Sequence, residues 1–134
     1  YRFRFVPTPH VPHGWDASVM LEETRGTLFC SNLFREWGER EPITRGHIIE
    51  RAREALLQSE QGPFANYVPY THHTGRILEE LAAYEPKLLA TMHGSSFEGN
   101  AGQQIRDLAK VMREVLGPKG ESGETTPIGT ITNG

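Results

Sequence analysis

The sequence places two histidines and an aspartate close together in one short segment. His10, His13 and Asp16 lie in the run TPHVPHGWD, directly after a strand-like stretch. Proline fixes its own φ and keeps the residue before it out of the helical region, so we expect a stiff, extended loop. Imidazole nitrogens and carboxylate oxygens are common ligands of zinc and iron. The segment by itself is equally compatible with a metal site and with an ordinary surface loop that carries histidines.

Two further polar residues follow predicted strands. Asn32 comes just after the strand-like run 27–30, and His93 comes just after the apolar run 87–92. Loops at the end of a sheet often carry functional side chains that a rigid scaffold positions. We therefore expect His13, Asn32 and His93 to be offered from the same edge of a sheet.

Hydrophobic periodicity predicts a chain that mixes strands and helices. The predicted strands are 2–6, 17–22, 27–30 and 87–92, with a tight turn at Gly26 between the second and the third; the last of them is expected to be covered on both faces. The predicted helices are 45–59, 71–84 and 102–116, the first with Thr44 as its N-cap. The polar run 35–42 predicts a surface connection. Residues 1–117 are expected to form one domain, and 118–134 to form a flexible tail rich in Gly, Ser and Thr.

Composition excludes several classes of protein. The 134 residues carry a net charge of −3 without a basic block, which argues against nucleic-acid binding. No apolar run approaches the roughly 20 residues that a membrane span needs. The single cysteine, Cys30, fits a reducing cytoplasm and is predicted to be a buried core residue. Because the chain opens on Tyr1 within a strand-like run, we expect that a preceding part is missing.

Three runs of residues resemble a known family. HGWDASVM, LFCSNLF and ATMHGSSF are similar to the C-terminal half of a metallo-β-lactamase-fold protein, in the branch of the flavodiiron and oxygen-binding diiron proteins. The resemblance spans roughly residues 2–116. It implies an α/β (α+β) fold that is half of an αββα sandwich, with one mostly antiparallel sheet and helices on its outer face.

The same resemblance implies roles for the polar residues. His13 and His93 correspond to metal ligands, and Asn32 aligns with a bridging aspartate. Asp16 would lie in the second shell and fix the loop through backbone hydrogen bonds, whereas His10 would either lie in the second shell or be exposed. An amide is neutral and bridges two cations poorly, so Asn32 departs from the family pattern. The family's principal motif, His-x-[His/Glu]-x-Asp-His, is also absent from this chain.

Two functions of different classes follow, and whether the chain is an enzyme stays open between them. In the first, the chain is the partner half of a dinuclear metal hydrolase or oxidoreductase that holds two divalent metals, Fe or Zn, once the site is completed. In the second, it is a degenerate, non-catalytic module that only folds and associates, without a cofactor of its own. In both, half a sandwich exposes the inner face of its sheet, so we expect association with the missing half or with a second copy as a homodimer.

Overall fold

A mixed sheet and three helices make up the chain. The structure is a computed structural model and describes residues 1–63, 65 and 67–118. The strands are β1 Phe3–Pro7, β2 Ser18–Glu22, β3 Thr27–Phe29, β4 Ile43–Thr44, β5 Leu88–Ala90 and β6 Ser96–Glu98; the helices are α1 Ile48–Gln61, α2 Thr74–Ala83 and α3 Ala101–Leu116. The general α+β class predicted from the sequence is confirmed. The predicted tail lies outside the described residues, apart from Pro118.

The six strands form one sheet in the order β1-β2-β3-β5-β6-β4. The ladders β1–β2, β2–β3 and β5–β6 are antiparallel, whereas β3–β5 and β4–β6 are parallel. A parallel pair needs a long connection, and the connection from β3 to β5 runs through β4, α1 and α2. None of the helices in the described part of the chain is long and apolar enough to cross a membrane.

The β2–β3 hairpin forms at the predicted turn. Gly26 has φ +77°, a conformation that glycine adopts without a steric penalty. The Glu22 carboxylate accepts hydrogen bonds from the backbone N–H groups of Thr24 at 2.6 Å and Arg25 at 2.9 Å. These bonds connect the last residue of β2 to the turn and stabilise it.

One face of the sheet is covered by the helices. The strand residues on this face join the predicted apolar stripes of all three helices in one core. The buried residues that strands and helices contribute to this core include Val19, Leu21, Leu28, Leu89, Phe97, Ile48, Ala52, Ile77, Leu78, Leu81, Ile105, Leu108 and Met112. Cys30 is fully buried, as predicted, and burial raises the pKa of its thiol.

The other face of the sheet is open. Five of its apolar residues, here called the open face, are Phe3, Phe5, Met20, Phe29 and Ala90. Phe5, Met20, Phe29 and Ala90 pair across four adjacent strands. Phe5 is 73% exposed and Phe29 is 41% exposed. The prediction that the strand within 87–92 is covered on both faces is therefore wrong, because only Leu89, on the helix side, is buried.

The segment before α1 also differs from the prediction. The helix begins at Ile48, and His47 before it has φ +62°. Thr44 lies in β4, and its hydroxyl donates a hydrogen bond to the carbonyl of Gly46 at 3.0 Å rather than capping the helix. The short strands β4 and β6 were not predicted, because the residues around them form neither an alternating nor a continuous apolar run.

Candidate functional site

The three predicted functional loops leave the sheet at one edge. Pro7, at the end of β1, pairs with Ser18 at the start of β2. Phe29, at the end of β3, pairs with both Met20 and Ala90, the last residue of β5. The loop with His10, His13 and Asp16, the segment with Asn32 and the turn with His93 therefore follow strand ends on the same side of the molecule.

The first of these loops is stiff because its own backbone is hydrogen-bonded. The Thr8 N–H donates to the carbonyl of Ala17 at 2.8 Å, and the Thr8 hydroxyl donates to the carbonyl of Val11 at 2.7 Å. Thr8 and Val11 are fully buried. This arrangement turns His13 inward, where it is only 8% exposed.

His13 contacts Asn32 directly. The Nε2 atom of His13 lies 2.7 Å from Nδ2 of Asn32, and its ring stacks on Trp15 at 4.2 Å between centroids. An amide nitrogen donates, so Nε2 is the acceptor and the imidazole proton is assigned to Nδ1. Burial and, secondarily, the charge of Arg35 lower the pKa of His13. The ring is therefore neutral near pH 7.

The other predicted site residues are not joined to this pair. His93, His10 and Asp16 are exposed. Within residues 1–63, 65 and 67–118, no group of three or more His, Cys, Asp or Glu side chains is placed to hold a metal ion. One buried imidazole paired with a neutral amide does not fit a dinuclear metal centre by itself. The assignment of His13, His93 and Asn32 to metals stays a prediction.

A cavity of about 140 Å³ adjoins the His13–Asn32 pair. We call it the His13 cavity. It lies between the loops at this sheet edge and the helices α1 and α3. Its polar end is formed by His13, Asn32 and Arg35, and part of its apolar wall by Leu33, Ala55, Leu56, Leu108 and Met112. Arg35 and the aromatic residues beside it gave no signal in the sequence, because the run they belong to reads as a polar surface connection.

Glu36 is a buried carboxylate that sequence reasoning missed. Its side chain is inaccessible to solvent, and it accepts hydrogen bonds from the N–H of Ser95 at 2.5 Å and from Arg51 at 3.4 Å. The backbone N–H of Glu36 donates to the carbonyl of His93 at 2.9 Å. Gly94 has φ +125°, and a Cβ at this glycine would collide with the Glu36 carboxylate. Through these side-chain and backbone hydrogen bonds, Glu36 connects the segment after β3 to the turn after β5.

Comparison with known proteins identifies a similar solved structure. No family model matches the chain, and no curated protein matches it. A solved structure described as the apo state of chemotaxis sensor ODP from T. denticola is similar, with a TM-score of 0.58 and 15% sequence identity. The match covers 80% of this chain and 43% of that chain. The chain thus spans less than half the length of that structure, and the low identity shows a shared fold alone.

These comparisons contradict the family assignment made from the sequence. The similar structure is described as a chemotaxis sensor and not as a metallo-β-lactamase, and neither the family models nor the curated proteins support the flavodiiron branch. The runs that carried the resemblance consist of strand ends and the short turns beside them. Residues such as Gly, Asn and Ser recur there for conformational reasons, as at Ser31 with φ +53° and Gly94 with φ +125°.

Proposed function

We propose that the chain is one layer of a two-sheet sandwich and functions as an association module. The observation that carries this proposal is the open face, an apolar row that crosses β1, β2, β3 and β5 on the side away from the helices. The comparison structure supports it, since more than half of that chain has no counterpart here.

The physical argument is the cost of leaving this row in water. Phe3, Phe5 and Phe29 are each more than two-fifths exposed. Full burial of one such side chain contributes about 1.5–3 kcal/mol, and contiguous apolar patches of this kind mark interaction surfaces. A second sheet packed about 10 Å away would cover the row and complete a sandwich. For the chain alone, the occupant we propose is a second copy, related by a two-fold axis.

Sedimentation velocity tests the proposal. The chain should sediment as a dimer at micromolar concentration, and Phe5→Ser combined with Phe29→Ser should shift it to monomer. Leu57→Ser is the matched control, because Leu57 is 40% exposed but lies on α1. A monomeric parent chain, or a control variant that dissociates as readily as the double variant, would refute the open face as the interface.

A second candidate function is a composite metal site. The loops of His13, Asn32 and His93 share one sheet edge, which favours a partner that adds the missing ligands there. Such an assembly would hold two divalent metals, Fe or Zn, for hydrolase or oxidoreductase chemistry. Elemental analysis of the purified dimer tests it: near-stoichiometric metal that is lost in His13→Ala and in His93→Ala supports the site. A metal-free dimer leaves only the association module.

A further inference from the structure

We infer that the His13 cavity is a binding site for a small carboxylic acid whose apolar body is about the size of one ring. This site lies on the helix side of the sheet. It is separate from the open face, so its test does not depend on the oligomeric state.

The first observation is the set of unpartnered polar atoms at the cavity's polar end. Nδ1 of His13, Oδ1 of Asn32 and Nε of Arg35 are buried and have no hydrogen-bond partner. Within the described part of the chain, these three are the buried side-chain nitrogen and oxygen atoms that have no hydrogen-bond partner. All three belong to residues that line the same cavity. A buried polar atom without a partner costs about 1–3 kcal/mol, so such a cluster needs a physical reason. Two of the three are donors, Nδ1–H of His13 and Nε–H of Arg35, and a ligand group with acceptor oxygens would supply their partners.

The charge at this end selects an anion. The guanidinium of Arg35 lies 4.4 Å from the centroid of the Trp37 ring, which holds it beside the cavity. None of the described residues that line the cavity is acidic, so an anion would meet no like charge there. A carboxylate matches the planar fork of arginine and could also accept the Nδ1–H of neutral His13.

The apolar wall sets the size and character of the rest of the ligand. Leu33, Ala55, Leu56, Leu108 and Met112 offer only hydrocarbon and thioether surface to the cavity. A cavity of about 150 Å³ with an apolar lining accommodates benzene in another protein, and the His13 cavity has a volume of about 140 Å³. A single aromatic ring or a short acyl chain therefore fits, whereas a long fatty acid does not.

Benzoate is the probe for this site, and benzamide is its neutral isostere. Each is titrated into the full 134-residue chain by two-dimensional NMR, which detects millimolar affinities. Benzoate should bind at least about tenfold more tightly than benzamide, the factor expected for one charge-assisted hydrogen-bonded pair. Arg35→Gln should remove this preference, whereas Arg25→Gln should keep it, because Arg25 lies in the hairpin at the opposite edge of the sheet.

A second variant tests the apolar part independently of charge. Ala55→Leu projects into the cavity from α1 and should abolish binding of both compounds, with the NMR spectrum reporting that the fold is retained. Equal affinity for benzoate and benzamide, or loss of the preference in Arg25→Gln as well, would overturn the inference. If Ala55→Leu does not fold, the comparison of Arg35→Gln with Arg25→Gln still decides it.

Discussion

The buried carboxylate of Glu36 makes a strong prediction about stability. Replacing it by alanine leaves the N–H of Ser95 buried without its charged acceptor, and Arg51 loses one of its two carboxylate partners. Both effects fall on the turn that carries His93, because Arg51 also donates to the hydroxyl of Ser95 at 3.3 Å. We expect Glu36→Ala to lower the free energy of unfolding and to loosen this sheet edge first.

The magnitude follows from the individual contacts. A hydrogen bond to a charged group contributes about 1.5–3 kcal/mol, which is the value expected for the bond from Ser95. Arg51 retains Glu41 at 2.7 Å, so the loss on that side is small. The space left by the buried side chain adds about 1 kcal/mol. The sum is about 3 kcal/mol, or a fall in the melting temperature of roughly 10 °C for a domain of this size.

Urea unfolding followed by circular dichroism is the assay, with two reference variants. Glu36→Gln keeps an oxygen that can accept from Ser95, and should cost about half as much as alanine. Glu39→Ala removes a carboxylate three residues away that is exposed, and should change stability by less than about 0.5 kcal/mol. The reasoning is refuted if Glu36→Ala is no more destabilising than Glu39→Ala, or if glutamine costs as much as alanine.

Three further predictions concern the same region and α3. Gly94→Ala should cost about 2 kcal/mol or more in thermal unfolding, because its φ of +125° and the neighbouring Glu36 exclude a side chain. The pKa of His13 is lower in the folded chain than in the unfolded chain, so on acidification the unfolded chain binds this proton at a higher pH. The free energy of unfolding should therefore fall as the pH drops below about 6.5. His13→Gln should reduce that pH dependence in urea titrations at pH 5 and 7.5, and an unchanged slope would contradict it. Asn100→Ala should cost about 1 kcal/mol, since Oδ1 of Asn100 accepts the N–H of Gln103, whereas Asn100→Asp should be nearly neutral.

Local patterns in the sequence were sufficient for much of the fold. The helix stripes were recognisable because one face of each helix is apolar at a spacing of three or four residues, as in Ile105, Leu108 and Met112. The β2–β3 hairpin followed from two strand-like runs and Gly26. The β4 and β6 strands had no such signal, because they exist only through pairing with each other and with β5.

The candidate site was less predictable, since it depends on contacts between distant segments. His13 was singled out by its residue type, but its partner Asn32 is set by the pairing of β2 with β3. Glu36 looks like one of several surface acids in a polar run. Its burial arises because Ser95 and Gly94 approach it across the sheet edge. The family assignment relied on short turn motifs, which reflect backbone requirements common to many folds.

The parallel pairing of β3 with β5 has a consequence for how the chain folds. The β1–β2–β3 meander is local and can form early, but β5 joins it only after the chain between them has closed a long loop through α1 and α2. Long-range parallel pairing of this kind slows folding. Asn32 follows the early strand and His93 follows the late one, so the sheet edge that carries the candidate residues is completed in one of the last folding steps. Until then the β3 edge that pairs with β5 and the core residues Leu21 and Leu28 are uncovered on a partly folded chain, and a high expression temperature should favour aggregation.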